Sequence, residues 1–360
     1  MSIAETVDAV QRGAISYEAG LDALTVAPAA EVDAALGDAL RTATERLFRG
    51  GWQPAELHRV IARRGDPLQA QLVTEAVTAY LAGFPQVDAR WRAQAGELPR
   101  GTRRPDRVTC LDSTLGLLIE LRRLPPIEVL IPPPGTTAPA RAPRPGDDRV
   151  LDRVRALLAK AESTDFPAEA EAYSAKAQEL IARHSIEEAL TSRDRAEVVP
   201  FARRIGVDHP YESEKASLLD AVARANHCHT VWSPELGFST VFGFDADIDG
   251  VELLYTSLLV QANKAMSRDE PAKGKARVKA FRRSFLIAYA VRIGERMRQT
   301  IRHEIDRHSD LLPVLRSRDL QGREVVQQVF PRTVRARGSR VDSLEGWESG
   351  RAAADEAQLG

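Results

Sequence analysis

Between Ala30 and Phe48 the apolar residues Val32, Leu36, Leu40 and Leu47, with alanines among them, fall on one stripe of a 3.6-residue period. That period predicts an amphipathic helix, preceded by two shorter ones marked by Val7 and Val10 and by Leu21 and Leu24. Gly50-Gly51 stops the long helix, and Pro54 suits the first turn of another over 55–64. Gly65-Asp66-Pro67 breaks and restarts the chain, and Leu68, Leu72, Ala76 and Tyr80 carry the next helix. Residues 1–124 therefore read as a helical N-terminal region. Arg59, Arg63 and Arg64 stand on the first helix of the pair joined at Gly65, and the second has no Lys or Arg from Leu68 to Tyr80. A helix-turn-helix reads bases with its second helix, so helical packing is the better reading.

Eight prolines between Pro125 and Pro145 then interrupt the pattern, removing backbone donors and fixing extended geometry. Residues 125–148 read as a Pro-rich linker, with Glu128–Ile131 as a short strand within it. Helical periodicity returns with Val150, Val154, Leu157, Leu158 and Ala161 on one face. A turn at 163–167 leads to a second stripe through Ala170, Tyr173, Ala177, Leu180 and Ile181. Ser185-Ile186-Glu187-Glu188 fits a capping box that starts a third, short helix. Residues 149–195 thus form a helical domain built on a hairpin.

Further on the period alternates between two and 3.6, which predicts a small α+β domain over 197–312. Strands are expected over 198–207, 228–232 and 239–244. Helices are expected over 211–226, from Asp245 onward, and over 277–308. Beyond Leu312 periodicity is lost, and 313–360 reads as a tail whose Gly346-Trp-Glu-Ser-Gly-Arg-Ala-Ala-Ala segment is a candidate docking helix. The fold class is mainly α: a helical N-terminal region and a helical hairpin, followed by a small α+β domain with a short sheet.

Composition narrows the function classes. With 50 Lys and Arg against 51 Asp and Glu, the chain as a whole is not basic, so any nucleic-acid surface has to be local. Two cysteines give no disulfide framework and suit a reducing compartment. The N-terminus lacks a basic, then apolar, leader pattern, and the longest apolar runs are far too short for a bilayer. A cytoplasmic protein without a membrane partner is expected.

The segments Arg153–Thr164, Pro167–Ala172 and Lys176–His184 carry a basic, leucine-bearing helix, a proline turn with paired Glu-Ala, and an Ala-Gln-Glu-Leu helix, in that order. Residues 149–190 on this basis resemble the family catalogued as domain of unknown function 2786. The region after them resembles a companion domain that often follows it in phage-related and actinobacterial proteins. The resemblance implies a helical fold and brings no activity to any residue.

Four clusters invite chemistry. His303 and His308 flank Glu304, but a zinc-binding helix needs imidazoles four apart; five apart, they diverge by roughly 140°. His227 and His229 would share one face of a strand and are candidate zinc ligands, with Cys228 facing the other way as a small buried hydrophobe. Asp245, Asp247 and Asp249 lack the glycine and glutamate of a calcium loop and better suit capping of the following helix. The remaining cluster is basic: Lys273, Lys275, Arg277, Lys279, Arg282 and Arg283 lead a segment opposed by few acids, a candidate for phosphate contact. Neither a phosphate-binding glycine loop nor a nucleophile elbow occurs.

The sequence thus points to a non-catalytic, nucleic-acid-associated binding protein that contacts DNA or RNA through its basic helix. A protein–protein adaptor and a metal-dependent enzyme using zinc at His227 and His229 are the alternatives.

Overall fold

The computed structural model describes residues 1–102, 105–136, 147–163, 173, 176–177, 179–181, 183, 200–271, 274–307, 312–334 and 340–357. It is mainly helical, with one small antiparallel sheet in its C-terminal half. The chain divides into two compact units, Met1–Pro143 and Arg144–Gly360.

Unit 1 contains helices α1 (Ile3–Gln11), α2 (Tyr17–Val26), α3 (Ala29–Arg49), α4 (Pro54–Arg64), α5 (Pro67–Ala82), α6 (Ala89–Glu97) and α7 (Arg107–Arg123). Val7, Val10, Leu24, Val32 and Leu36 bury their apolar stripes against Leu111, Leu115 and Leu118 of α7. Helix α7 is enclosed on most sides: Leu111, Ser113, Thr114, Leu115, Leu117, Leu118 and Leu121 are all buried. A helix apolar around its circumference has no stripe to detect, so hydropathy periodicity gives it no signature. Where α4 meets α5, the Asp66 carboxylate accepts the backbone N–H groups of Leu68 and Gln69 at 2.6 and 2.9 Å, closing the N-terminus of α5.

The end of α3 shows why Gly-Gly is needed there. Gly51 has φ +94, and a Cβ on it would lie 2.2 Å from the Ile127 carbonyl oxygen. The proline-rich chain runs against this turn: the Ile127 N–H donates to the Gly50 carbonyl at 2.7 Å, and the Trp52 indole N–H donates to the Pro125 carbonyl at 2.8 Å. Ile131 is buried. The strand expected at Glu128–Ile131 does not form. Prolines on both sides remove the donors that a ladder requires, and the segment is held by single hydrogen bonds and side-chain burial instead.

Unit 2 begins with α8 (Asp147–Ser163) and continues through β1 (Phe201–Gly206), α9 (Glu212–Ala225), β2 (His229–Ser233) and β3 (Phe238–Gly243). Helices α10 (Asp245–Asp269), α11 (Lys275–Arg307), α12 (Leu312–Val329) and α13 (Leu344–Glu356) complete it. The sheet order is β1-β3-β2, antiparallel throughout, with Arg204 opposite Thr240 and Val231 opposite Thr240 across the central strand. Val241 joins Leu219, Val222, Val251 and Ile293 in the core. The alternate position Phe242 faces the other way, where Phe330 meets it edge-on at 5.8 Å. Val154 and Leu158 of α8, with Ala177 and Ile181, enter the same core, and Ile181 occupies the space left by Gly250 on α10. The capping box expected at Ser185, and the short helix after it, lie outside the described residues.

One helix departs from the sequence expectation and another meets it. The region after Leu312, where periodicity is lost, contains the 18-residue helix α12. Its buried positions include Arg318 and Gly322, an arginine and a glycine four apart, so hydropathy does not register the inward face. Helix α13 forms where the candidate docking helix is expected, and it packs backbone to backbone on α11. A Cβ on Gly346 would lie 2.4 Å from the Phe281 carbonyl oxygen, and one on Gly350 would lie 2.3 Å from that of Phe285. Only hydrogen at both positions permits that approach.

Candidate functional site

The basic segment comes first because the sequence singles it out. Lys275 is the first residue of α11 and Lys279 lies one turn later; both are exposed. Lys273 lies outside the described residues. The arginines are arranged differently. Arg277 pairs with Glu345 of α13 at 2.8 Å, Arg282 with Glu270 at 2.6 Å, and Arg283 with Glu214 of α9 at 2.9 Å and Asp342 at 3.6 Å. Glu214 is buried, so Arg283 compensates a desolvated carboxylate. Farther along, Arg292 pairs with Asp355 at 2.6 Å and with Glu295 at 3.0 Å. Arg296 donates to the Ala354 and Ala357 carbonyls at 2.5 and 2.6 Å, covering acceptors that the C-terminus of α13 leaves open. Ser284, buried within α11, accepts the Asp342 and Ser343 N–H groups that lead into α13. The arginines of this helix form an ionic seam that holds α13, α9 and the 270 turn.

The second constellation centres on His227-Cys228-His229. His227 precedes β2 in the left-handed region with φ +56, so strand alternation does not set its direction. Burial holds its imidazole below the ordinary histidine range. Cys228 is fully buried, and burial with Asp247 nearby pushes its thiol well up. His229 opens β2, and its Nε2 lies 3.1 Å from Asp319 Oδ1 and 3.2 Å from the Asp319 carbonyl of α12. Among the described residues no three His, Cys, Asp or Glu side chains are grouped so as to hold a metal ion. His303 lies on α11, and His308 falls outside the described residues.

Beside His229 a polar cleft opens along β2, the edge strand, between the end of α9 and α12. It is lined by Asp220, Arg224, Thr230, Arg323, Val326 and Phe330, with Pro331 and Thr333. The Thr230 hydroxyl donates to Asp220 Oδ1 at 2.7 Å, while Arg224 Nε binds Asp220 Oδ2 at 2.7 Å. Arg323 binds Asp319 Oδ2 at 2.9 Å. Both carboxylates are therefore engaged on each oxygen. Sequence reading missed this cleft because half of it is built by α12.

One residue before Asp319 a buried charge pair begins. Arg318 sits over the Phe244 ring at 3.8 Å and 3.7 Å from Asp247, with Arg318 and Asp247 both almost completely buried. The capping role expected for Asp245 or Asp247 is not observed. Phe244 is the N-cap residue and no side chain caps the helix. The two acids occupy the first turn of α10, where the helix dipole favours carboxylates. Asp249 accepts Arg203 at 2.6 Å, and burial nonetheless keeps its carboxyl above the ordinary range.

No helix of the described residues is long and apolar enough to cross a membrane. No curated protein and no solved structure matches the chain. One family likeness covers the segment that contributes Val154, Leu158, Ala177 and Ile181 to the unit 2 core: residues 149–188 match the family described as Protein of unknown function (DUF2786).

Proposed function

We propose that the chain is a non-catalytic binding protein whose partner is a protein held at unit 2. The observation that carries this reading is the edge of the sheet. Strand β2 pairs with β3 on one side, and among the described residues its other edge has no strand partner. Around it the chemically capable groups are engaged in the fold: Cys228 is buried, His229 faces Asp319, and Arg318 compensates Asp247. An immobilised full-length chain in nuclease-treated extract should retain a protein, and hydrogen exchange at residues 229–233 should slow in its presence. Loss of all retained protein after nuclease treatment, or protection confined to other segments, would sink the reading.

Nucleic-acid contact is a second reading, favoured by Lys275 and Lys279. Both are exposed one helical turn apart, with no ion pair among the described residues, and Lys273 is close by in sequence. Filter binding at low salt tests it against DNA and RNA. Binding should vanish in Lys275→Glu/Lys279→Glu, and each lost phosphate contact should lower the salt slope by about 1. Binding that survives this double reversal would refute lysine-mediated contact.

A further inference from the structure

We infer that the partner segment is an extended acidic peptide that adds to β2 as a fourth strand, with its carboxylates on Arg224, Arg323 and Arg332. The inference rests on the protein-binding reading above and gives that partner its chemistry.

Three features converge on the same edge. The first is the lack of protection along the edge among the described residues. Natural edge strands discourage pairing with lysine, proline, bulges or a covering element. The β2 sequence, His-Thr-Val-Trp-Ser, has no proline and no lysine, and all five residues are half-buried and register with β3 without a bulge. Its five residues offer an edge of roughly 17 Å. Added strands draw affinity from main-chain hydrogen bonds and specificity from side-chain pockets on either face.

The second feature is charge. Arg224 stands on the α9 side of the cleft and Arg323 on the α12 side, with side chains 67% and 64% exposed. Asp220 and Asp319 each place one oxygen on an arginine and the other on Thr230 or His229, so neither carboxylate is open to a cationic ligand. Each guanidinium has five N–H donors, and the contacts to Asp220 and Asp319 leave donors at both. Arg332, between the lining residues Pro331 and Thr333, is exposed and has no carboxylate partner among the described residues. Among the lining residues Arg224 and Arg323 stand against the satisfied Asp220, and Arg332 adjoins the lining in the chain, which biases the rim toward positive charge. A basic segment would meet repulsion, whereas an acidic one gains charge-assisted hydrogen bonds.

The third feature is the floor. Val326 and Phe330 supply apolar surface, and Phe330 is fixed edge-on against Phe242. One apolar side chain of the peptide fits there, flanked by acids that reach the arginines.

Panning a phage-displayed library of random ten-residue peptides on the full-length chain tests the inference. Enriched peptides should place acidic residues around an apolar one and should slow hydrogen exchange at 229–233. Their binding should fall at least tenfold in Arg224→Glu/Arg323→Glu. Arg332→Glu, which changes an exposed residue outside any helix or strand, should weaken binding in the same direction without perturbing the fold. Recovery of no peptide, enrichment without acidic bias, protection elsewhere, or binding unchanged by both variants would overturn the inference. Concentration-dependent dimerisation that protects 229–233 without peptide would assign the edge to a second copy and overturn it as well. A partner still retained from extract while the library yields nothing would refute the acidic strand and leave the protein-binding reading standing.

Discussion

Replacing Gly350 with alanine tests the tightest contact in unit 2. The new Cβ would lie 2.3 Å from the Phe285 carbonyl oxygen and 2.9 Å from its Cα, both backbone atoms of α11. Comfortable separations are nearer 3.5 Å, so α13 has to retreat by about 1 Å. Alanine favours a helix interior over glycine by about 1 kcal/mol, which opposes the loss. Overpacking of this kind costs about 1–3 kcal/mol. The retreat also stretches the Arg296 bonds to the Ala354 and Ala357 carbonyls and loosens the buried Ala353 and Ala354. We therefore expect a net loss of about 1–2 kcal/mol, read as a lower urea midpoint for unit 2 and as faster hydrogen exchange over 344–356. Gly37→Ala on α3 is the control, because nothing lies within 4 Å of its Cβ and the residue is exposed. It should stabilise unit 1 by up to about 1 kcal/mol. If Gly350→Ala stabilised unit 2 as Gly37→Ala stabilises unit 1, the close approach of the two helices would be refuted.

Other expectations follow from the buried charges and the turns. Arg318→Leu removes the buried guanidinium beside Asp247 and should cost about 3–5 kcal/mol by urea melting, while Arg318→Met/Asp247→Asn should recover much of it. If the single and double variants were equally unstable, packing on Phe244 rather than charge would hold α12. Arg283→Met leaves Glu214 buried and should cost about 1–3 kcal/mol, whereas Lys279→Met should stay within about 0.5 kcal/mol of the parent. Gly51→Ala meets both a positive φ and the Ile127 carbonyl, and should destabilise unit 1 by about 1–3 kcal/mol, read as a lower urea midpoint. Burial depresses the imidazole pKa of His58 in unit 1 and His227 in unit 2, so the unfolded chain binds protons first as pH falls. Both units should therefore lose stability as pH drops below about 6.5, the ordinary histidine value. His227→Asn, which tolerates the left-handed backbone, should flatten that slope for unit 2; an unchanged pH profile would contradict the assignment.

Much of this architecture was legible in the sequence, and the exceptions have definite causes. Amphipathic stripes placed α3, α4 and α5 to within a residue or two and α8 to within three, and alternation placed the three strands of unit 2 about as closely. Both signals work because burial on one face leaves a periodic trace. Helix α7 hid because it is buried on most sides, and α12 because its inward face carries Arg318 and Gly322. That omission concealed the cleft, since Asp319, Arg323 and Phe330 arrive from a segment without recognisable period. The basic cluster was visible as composition, but its use was not. Glu345 and Asp355 are 68 and 63 residues away from the arginines they meet, and no local pattern announces such pairing.

That separation has a consequence during synthesis. At the about 5–20 residues per second of translation, the roughly 65 residues between the face of α11 and the glycines of α13 take about 3–13 s to emerge. Through that interval Phe281 and Phe285 stand beside an uncovered backbone groove, and the arginines that will grip Glu345 and Asp355 face solvent. The seat of α13 on α11 is therefore closed last, by the arrival of two glycines.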